Sequence, residues 1–331
     1  MPKAEPVPAA RPAGSVGFYN FLAPGNGFRE EVLAGLSAAP KYLPPRWAFN
    51  ETGMRIQRVL AETAGWYQSR DEASLVRSQA EELAALAGPG IQLIEIGPGA
   101  SPATLGLTAR LEPALHLQVD ADPVALTGAA RALAAACPWL NICGILANPA
   151  AALVLPEFAG LGVRRKLVFL PATALTRFSA DHLLEVLRGA RGMAGRKGAV
   201  LACVDFKKER RQLDAAYNDI EGIMELLNVN LLNRVNEELG ADFQVQRFAY
   251  RAAYDEVQGR MEMRLHSTAA QFVNIGGRRF DLGAGEPLLT GVAALYTAAE
   301  FAALARDAGL NIDKLWVDER QRLGLHWMTF N

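Results

Sequence analysis

The stretch Gln92-Leu-Ile-Glu-Ile-Gly-Pro-Gly-Ala-Ser101 constrains this chain more than any other. An apolar run ends in a turn with two glycines, and a helix-forming segment follows. About 20 residues beyond the turn, a second apolar run, His116-Leu-Gln-Val-Asp120, ends in an acid. This order fits a βαβ unit that binds an adenosine-containing ligand at the carboxyl edge of a parallel sheet. Gly97 and Gly99 let the backbone approach a ligand where a Cβ would clash. Asp120 is placed to accept hydrogen bonds from two ribose hydroxyls. The turn lacks the third glycine of the dinucleotide pattern, and the acidic Glu95 precedes it. Both features favour S-adenosylmethionine (SAM) over NAD, because SAM has no pyrophosphate and needs no glycine-tight helix N-terminus.

Composition narrows the function classes. Half of the 331 residues are apolar and 21% are charged, which suits two domains of moderate size. The net charge is −1, and Lys207-Lys-Glu-Arg-Arg211 is a short mixed cluster, so nucleic acid is not expected as a partner. Cys137, Cys143 and Cys203 have no ligand spacing and read as core residues in a reducing compartment. His116, His182, His266 and His326 are dispersed, so no metal is expected. No apolar run is long enough to span a membrane. Residues 1–14 are rich in Pro and Ala without an apolar core, which reads as a disordered tail rather than a signal peptide. A cytoplasmic location is the expectation.

Periodicity organises the rest. Helices are expected over 28–36, 53–63 and 71–87, with a break at Pro40-Lys-Tyr-Leu-Pro-Pro45. Strands at 91–96, 116–120, 140–144, 166–170 and 198–204 alternate with helices at 102–111, 123–136 and 179–191, the pattern of a doubly wound parallel sheet. A long helix is expected over 210–239, then antiparallel strands within 243–254 and 261–272. The end reads as helix 298–308, strand 312–318 and strand 323–330, the last inserted antiparallel at the sheet edge. Trp139, Trp316 and Trp327 are expected in the core. The fold class is therefore α/β: a Rossmann-like SAM-binding sheet with a C-terminal antiparallel strand, plus a second α+β substrate domain. The expected boundaries are a tail at 1–25, the substrate domain at 26–59 and 206–285, and the SAM-binding domain at 60–205 and 286–331. The cleft between the domains is the expected site for a small-molecule substrate.

Several further motifs follow one another in order: Gly35-Leu-Ser-Ala-Ala-Pro-Lys41, Leu43-Pro-Pro-Arg-Trp47, Trp66-Tyr-Gln-Ser-Arg70, the turn at Gly97, Ala216-Tyr-Asn-Asp219, Asn228–Leu239 with Gly240-Ala-Asp-Phe243, Glu262-Met-Arg-Leu265 and Gly285-Glu286. On these residues the chain resembles the histidine Nα-methyltransferases of ergothioneine biosynthesis over nearly all of its length after the tail. The resemblance implies SAM at the glycine turn and an amino acid whose α-amine attacks the SAM methyl group in line. Catalysis would then be mainly the positioning of an unprotonated amine.

The resemblance also implies roles for particular residues. On the cofactor side Gly97, Gly99, Ser101 and Asp120 match, with Glu95 ahead of the turn. Pro171-Ala-Thr-Ala-Leu-Thr176 stands where the family has a glycine-rich loop. The acid that the family places after the third strand is Ile145, with Asn148 nearby. On the acceptor side Tyr217 matches a tyrosine that holds the substrate carboxylate, and Met263 matches a pocket methionine. The asparagine that shares the carboxylate is Thr176, so Tyr217 and Thr176 are the residues expected at the reacting groups. A tyrosine near the amine is Phe49, and another pocket tyrosine is Trp66. The glutamate and serine that grip the imidazole are Gly291 and Ala293. Each ring nitrogen left unpaired costs about 1–3 kcal/mol, so histidine is expected to be a poor acceptor. The pocket is expected to be wider and more apolar, lined by Trp66, Phe49 and Met263. Three readings remain open at this point. One is N-methylation of an apolar or aromatic amino acid. Another is intramolecular cyclisation of SAM to azetidine-2-carboxylate and methylthioadenosine. The third is a non-catalytic SAM-binding relative.

Overall fold

A computed structural model describes residues 16–22, 27–97, 99–151, 153–158 and 160–330. Its elements, in chain order, begin with β1 (Val16–Asn20), α1 (Phe28–Ser37), α2 (Glu51–Glu62), α3 (Gln68–Ser78) and α4 (Ala80–Ala87). The alternating series follows as β2 (Ile91–Ile96), α5 (Pro102–Leu111), β3 (Leu115–Asp120), α6 (Pro123–Ala136), β4 (Ile142–Leu146), β5 (Arg165–Leu170), α7 (Ala172–Leu175), α8 (Ala180–Ala194) and β6 (Ala199–Asp205). Then come α9 (Arg210–Tyr217), α10 (Ile223–Leu239), β7 (Phe248–Asp255), β8 (Arg260–Ser267), β9 (Gln271–Ile275), β10 (Arg278–Leu282) and β11 (Pro287–Ala294). The chain closes with α11 (Ala298–Asp307), β12 (Asn311–Val317) and β13 (Leu323–Thr329).

The chain divides into two compact units: residues 1–22, 68–206 and 296–331, and residues 23–67 and 207–295. The first is built on an eight-stranded sheet of order β1-β4-β3-β2-β5-β6-β13-β12. Strands β1 to β6 pair in parallel, and β13 runs antiparallel to both β6 and β12. Every residue of β2 is buried, as expected of a central parallel strand covered on both faces. The chain order reverses between β2 and β5, which makes their carboxyl ends the switch point where such sheets bind ligands. The helices start at strong signals. Ser101 caps α5 and Asp122 caps α6, each followed by a proline at the first helical position. A Thr297–Glu300 capping box opens α11.

The second unit has a three-stranded antiparallel sheet, β11-β8-β7, and a β9–β10 hairpin. Helix α10 packs against α2, against a 3-10 turn at Pro45–Ala48 and against that sheet. The hairpin turns at Gly276 and Gly277, both at positive φ, the backbone that a two-residue hairpin loop requires. Among the described residues no helix is long and apolar enough to cross a membrane.

The structure corrects several expectations. Part of the 1–25 tail is ordered: Val16–Asn20 forms β1 and pairs in parallel with β4, consistent with its two aromatic residues and a valine. The unit boundaries fall at 68, 206 and 296 rather than 60, 205 and 286. Residues 287–294 belong with the second unit because β11 pairs with β8, and because Leu43 N–H and Leu289 N–H bond Leu289 and Lys41 carbonyls respectively. The last strand does not lie at the sheet edge; β12 does. The helix expected over 210–239 is broken at 218–222, where Asp219 accepts the Ile223 and Met224 amides and starts α10 anew. Trp327 is buried as expected, but Trp316 is half-buried with its Nε1 donating to Glu82, and Trp139 is 46% exposed beyond the end of α6.

Candidate functional site

In the first unit, the residues assigned to the cofactor cluster at the carboxyl edge of the sheet. Gly97 follows β2 at φ 102° and is held by its N–H to the Val119 carbonyl, 2.9 Å. A Cβ there would stand 2.8 Å from the Ala174 Cβ on α7. Gly99 is pressed still more closely. The Glu95 carboxylate lies where its Cβ would project, and its carbonyl accepts Gln118 Nε2 at 2.9 Å.

Glu95 itself is fully buried and already occupied. Its Oε1 accepts the Thr104 hydroxyl at 2.5 Å, and its Oε2 lies 3.2 Å from His116 Nε2. It therefore shapes the turn from beneath. Ser101 accepts the Thr104 amide at 3.1 Å as the cap of α5. Asp120, half-buried at the end of β3, accepts the Asp122 amide at 2.7 Å through Oδ1. Burial pushes its carboxyl up to about 6, and the nearby Arg177 guanidinium partly offsets this.

Pro171 leads from β5 into α7, whose last turn ends at the buried Thr176. Ile145 has no exposed surface and sits inside β4, in register with Val119. Asn148 is exposed and accepts the Ala150 amide in its own turn.

Two residues that pattern reasoning did not single out belong to this edge. Arg177 is one, acting on Asp120 from the residue after Thr176. Glu72 on α3 is the other. It is fully buried, and its Oε1 accepts the Ala172 amide at 2.8 Å. Burial, together with the negative Glu95 and Asp205, pushes its carboxyl up to about 7. No local signal marks Glu72, since its partner lies 100 residues away.

The residues assigned to the acceptor lie in the second unit, Thr176 excepted. Trp66 meets Tyr217 edge-to-face with centroids 5.5 Å apart, and stacks on Tyr67 at 6.5 Å. Tyr217 is 1% exposed at the end of α9. Its position is set by its neighbours. The Asn218 side chain bonds both the N–H and the carbonyl of Ala252 on β7, Asp219 caps α10, and the Tyr250 hydroxyl donates to the Tyr217 carbonyl at 2.8 Å. The Tyr-Asn-Asp motif is thus one mooring for the tyrosine.

The asparagine-rich helix plays a similar part. Asn230 Nδ2 donates to the Ala48 carbonyl and to Asn50 Oδ1, and Arg234 donates to the Trp47 carbonyl. These bonds fix the segment that carries the buried Phe49. Asn228 Oδ1 accepts the Thr290 hydroxyl at 2.7 Å, beside Gly291.

Met263 and Gly291 pair in register between β8 and β11, and Ala293 pairs with Met261. A Cβ at 291 would stand 2.7 Å from Met263 Cε and 2.9 Å from its Sδ. The expectation of a wider pocket is therefore wrong at this position, because the thioether fills the volume that a side chain at 291 would take.

The sheet order, the reversed β13 and the glycine turn with an acid one strand on define a class I SAM-dependent methyltransferase domain. The residues present fit SAM. Gly97 and Gly99 turn the backbone at the switch point, packed too closely on Ala174 and Glu95 to admit a Cβ, Asp120 stands one strand over, and a buried Glu72 oxygen lacks a hydrogen-bond partner. The sequence model of a family described as "Histidine-specific methyltransferase, SAM-dependent" matches residues 28–330. This chain belongs to that family.

Its relatives include the histidine N-alpha-methyltransferase of Mycolicibacterium smegmatis, 30% identical over 318 residues, covering 92% of this chain and 97% of the relative. The histidine N-alpha-methyltransferase of Mycobacterium tuberculosis is 29% identical, covering 90% and 93%. The N-methyltransferase imqF of Aspergillus flavus is 23% identical, covering 89% and 82%. The chain is a SAM-dependent transferase.

Proposed function

We propose that this enzyme N-methylates a small amino acid with an apolar or aromatic side chain, and that histidine is not its preferred acceptor. The observation that carries this reading is the Met263–Gly291 packing. At the two positions assigned to gripping an imidazole stand a glycine under a thioether and an alanine that is 3% exposed. Neither offers a side-chain hydrogen-bond partner, and a ring nitrogen buried there would stay unpaired. An aliphatic or aromatic side chain has no such requirement, and the edge-to-face pair of Trp66 and Tyr217 suits contact with one.

The chemistry asks little of the protein. SAM, when bound, supplies a methyl carbon already activated by its sulfonium. The acceptor amine has to arrive unprotonated and in line. An apolar wall disfavours the ammonium form, and Tyr217, moored by Asn218, Asp219 and Tyr250, is assigned the acceptor's carboxylate. Positioning of this kind supplies the rate without a general base.

The test is product analysis with SAM alone and with SAM plus a pool of the twenty amino acids. The reading predicts S-adenosylhomocysteine, plus apolar or aromatic amino acids heavier by one or more methyl groups, only when the pool is present. Methylthioadenosine and azetidine-2-carboxylate formed from SAM alone would contradict it and establish intramolecular cyclisation.

A further inference from the structure

We propose that Glu72 is a cofactor ligand: its unpartnered carboxylate oxygen receives the α-ammonium group of the methionyl arm of SAM. The inference rests on the SAM dependence of the family, not on the identity of the acceptor.

The geometry places Glu72 next to the glycine turn. Its Oε1 is committed to the Ala172 amide, the first residue of α7. Two residues on, Ala174 is the side chain against which Gly97 packs. The carboxyl thus lies among the ends of β2, β5 and β6, beside the switch point of the sheet.

Three carboxyls share this region, and each has at least one partner. Glu95 is held by Thr104 and His116, and Asp205 Oδ2 accepts Gln68 Nε2 at 2.5 Å. Of the three, Glu72 alone keeps a buried oxygen, Oε2, with no hydrogen-bond partner. The Cys203 thiol, a weak donor, lies beside the carboxyl without completing it. Native folds rarely leave such an atom unsatisfied, and one at a ligand edge is accounted for when the ligand completes it.

The charge of the surroundings selects the kind of partner. Beyond the Cys203 thiol, the ionisable neighbours acting on Glu72 are Glu95 and Asp205, both acidic, and this negative surround favours a cationic donor. The methionyl arm of SAM offers three candidates. Its carboxylate would be repelled. Its sulfonium carries no hydrogen to donate. Its ammonium carries both charge and hydrogens.

The test compares ligands that differ only in the arm. Isothermal titration is run on the parent and on Glu72→Gln with three probes: S-adenosylhomocysteine, its analogue lacking the α-amine, and methylthioadenosine, which lacks the whole amino-acid arm. Glu72→Gln keeps the volume and an acceptor for the Ala172 amide but not the charge. In the parent, removal of the amine is expected to weaken binding by about 10- to 100-fold, the span of one charge-assisted hydrogen bond. In Glu72→Gln that penalty is expected to vanish, while methylthioadenosine binds both proteins alike. Should Glu72→Gln be unstable, Glu72→Asp, which withdraws the carboxylate by one carbon, gives the same comparison with a reduced penalty. Equal binding of the first two probes to the parent would overturn the proposal. So would an equal loss for all three probes in the variant, which would mark Glu72 as a strut for α7 alone.

Discussion

Met263 on β8 and Gly291 on β11 face each other in register, and the methionine's Sδ lies 2.9 Å from where a Cβ at position 291 would stand. The two positions are therefore one feature. A side chain at 291 is admitted only when the thioether moves. Gly291→Ala is expected to destabilise the parent by about 1 kcal/mol through overpacking, and to be near neutral when Met263 is Ala. Chemical denaturation of the double-mutant cycle checks this, and additive effects would separate the residues. The same coupling bears on specificity. Gly291→Glu with Ala293→Ser is expected to give little histidine turnover until Met263 is also shortened.

Tyr217 owes its placement to its neighbours rather than to helix propensity. Asn218→Ala removes both bonds to Ala252, and a loss of about 1–3 kcal/mol in stability is expected. In steady-state kinetics the larger effect should fall on the KM for the acceptor, with the affinity for SAM within about twofold of the parent. A change confined to SAM affinity would show that this mooring does not serve the acceptor.

Glu72 gives the ligand-free protein a characteristic pH dependence. Its carboxyl rises from 4.5 to about 7 on folding, so the folded state holds the proton more tightly than the unfolded one. The stability this contributes is present in acid and is lost as pH rises through the folded value. Asp120, raised to about 6, acts in the same direction. His326, pushed down to about 4 by burial, acts in the opposite one. Subtracting Glu72→Gln isolates the first group. From about pH 5 to about pH 7 the variant should gain about 2 kcal/mol relative to the parent. A pH-independent difference, read by denaturant titration, would mean that Glu72 titrates normally.

Asp120→Asn separates the nucleoside end of the cofactor site from the amino-acid end. It is expected to weaken S-adenosylhomocysteine and methylthioadenosine alike, by about 10- to 100-fold, because both carry the ribose. Calorimetry showing a loss for only one of them would move Asp120 away from the ribose.

The first unit was largely legible in the sequence because its signals are local. Mostly apolar strands such as Ile91–Ile96, and caps followed by proline at Ser101 and Asp122, mark their own boundaries. The β9–β10 hairpin was missed although Gly276-Gly277 signals its turn, because its exposed Arg and Asn residues hide the alternation. Strand β11 was missed because its place depends on pairing with β8. Candidate residues carried by motifs, such as Tyr217, could be singled out from the sequence. Glu72, Arg177 and Tyr250 could not, since each acts on a partner distant in sequence.

The most direct test of the proposed function is the ratio of kcat/KM for the best apolar or aromatic acceptor to that for histidine, measured at saturating SAM. Two unpaired ring nitrogens should place the ratio at about 30-fold or more in favour of the apolar acceptor. A ratio at or below one would contradict the account, and would mean that histidine finds partners elsewhere than at Gly291 and Ala293.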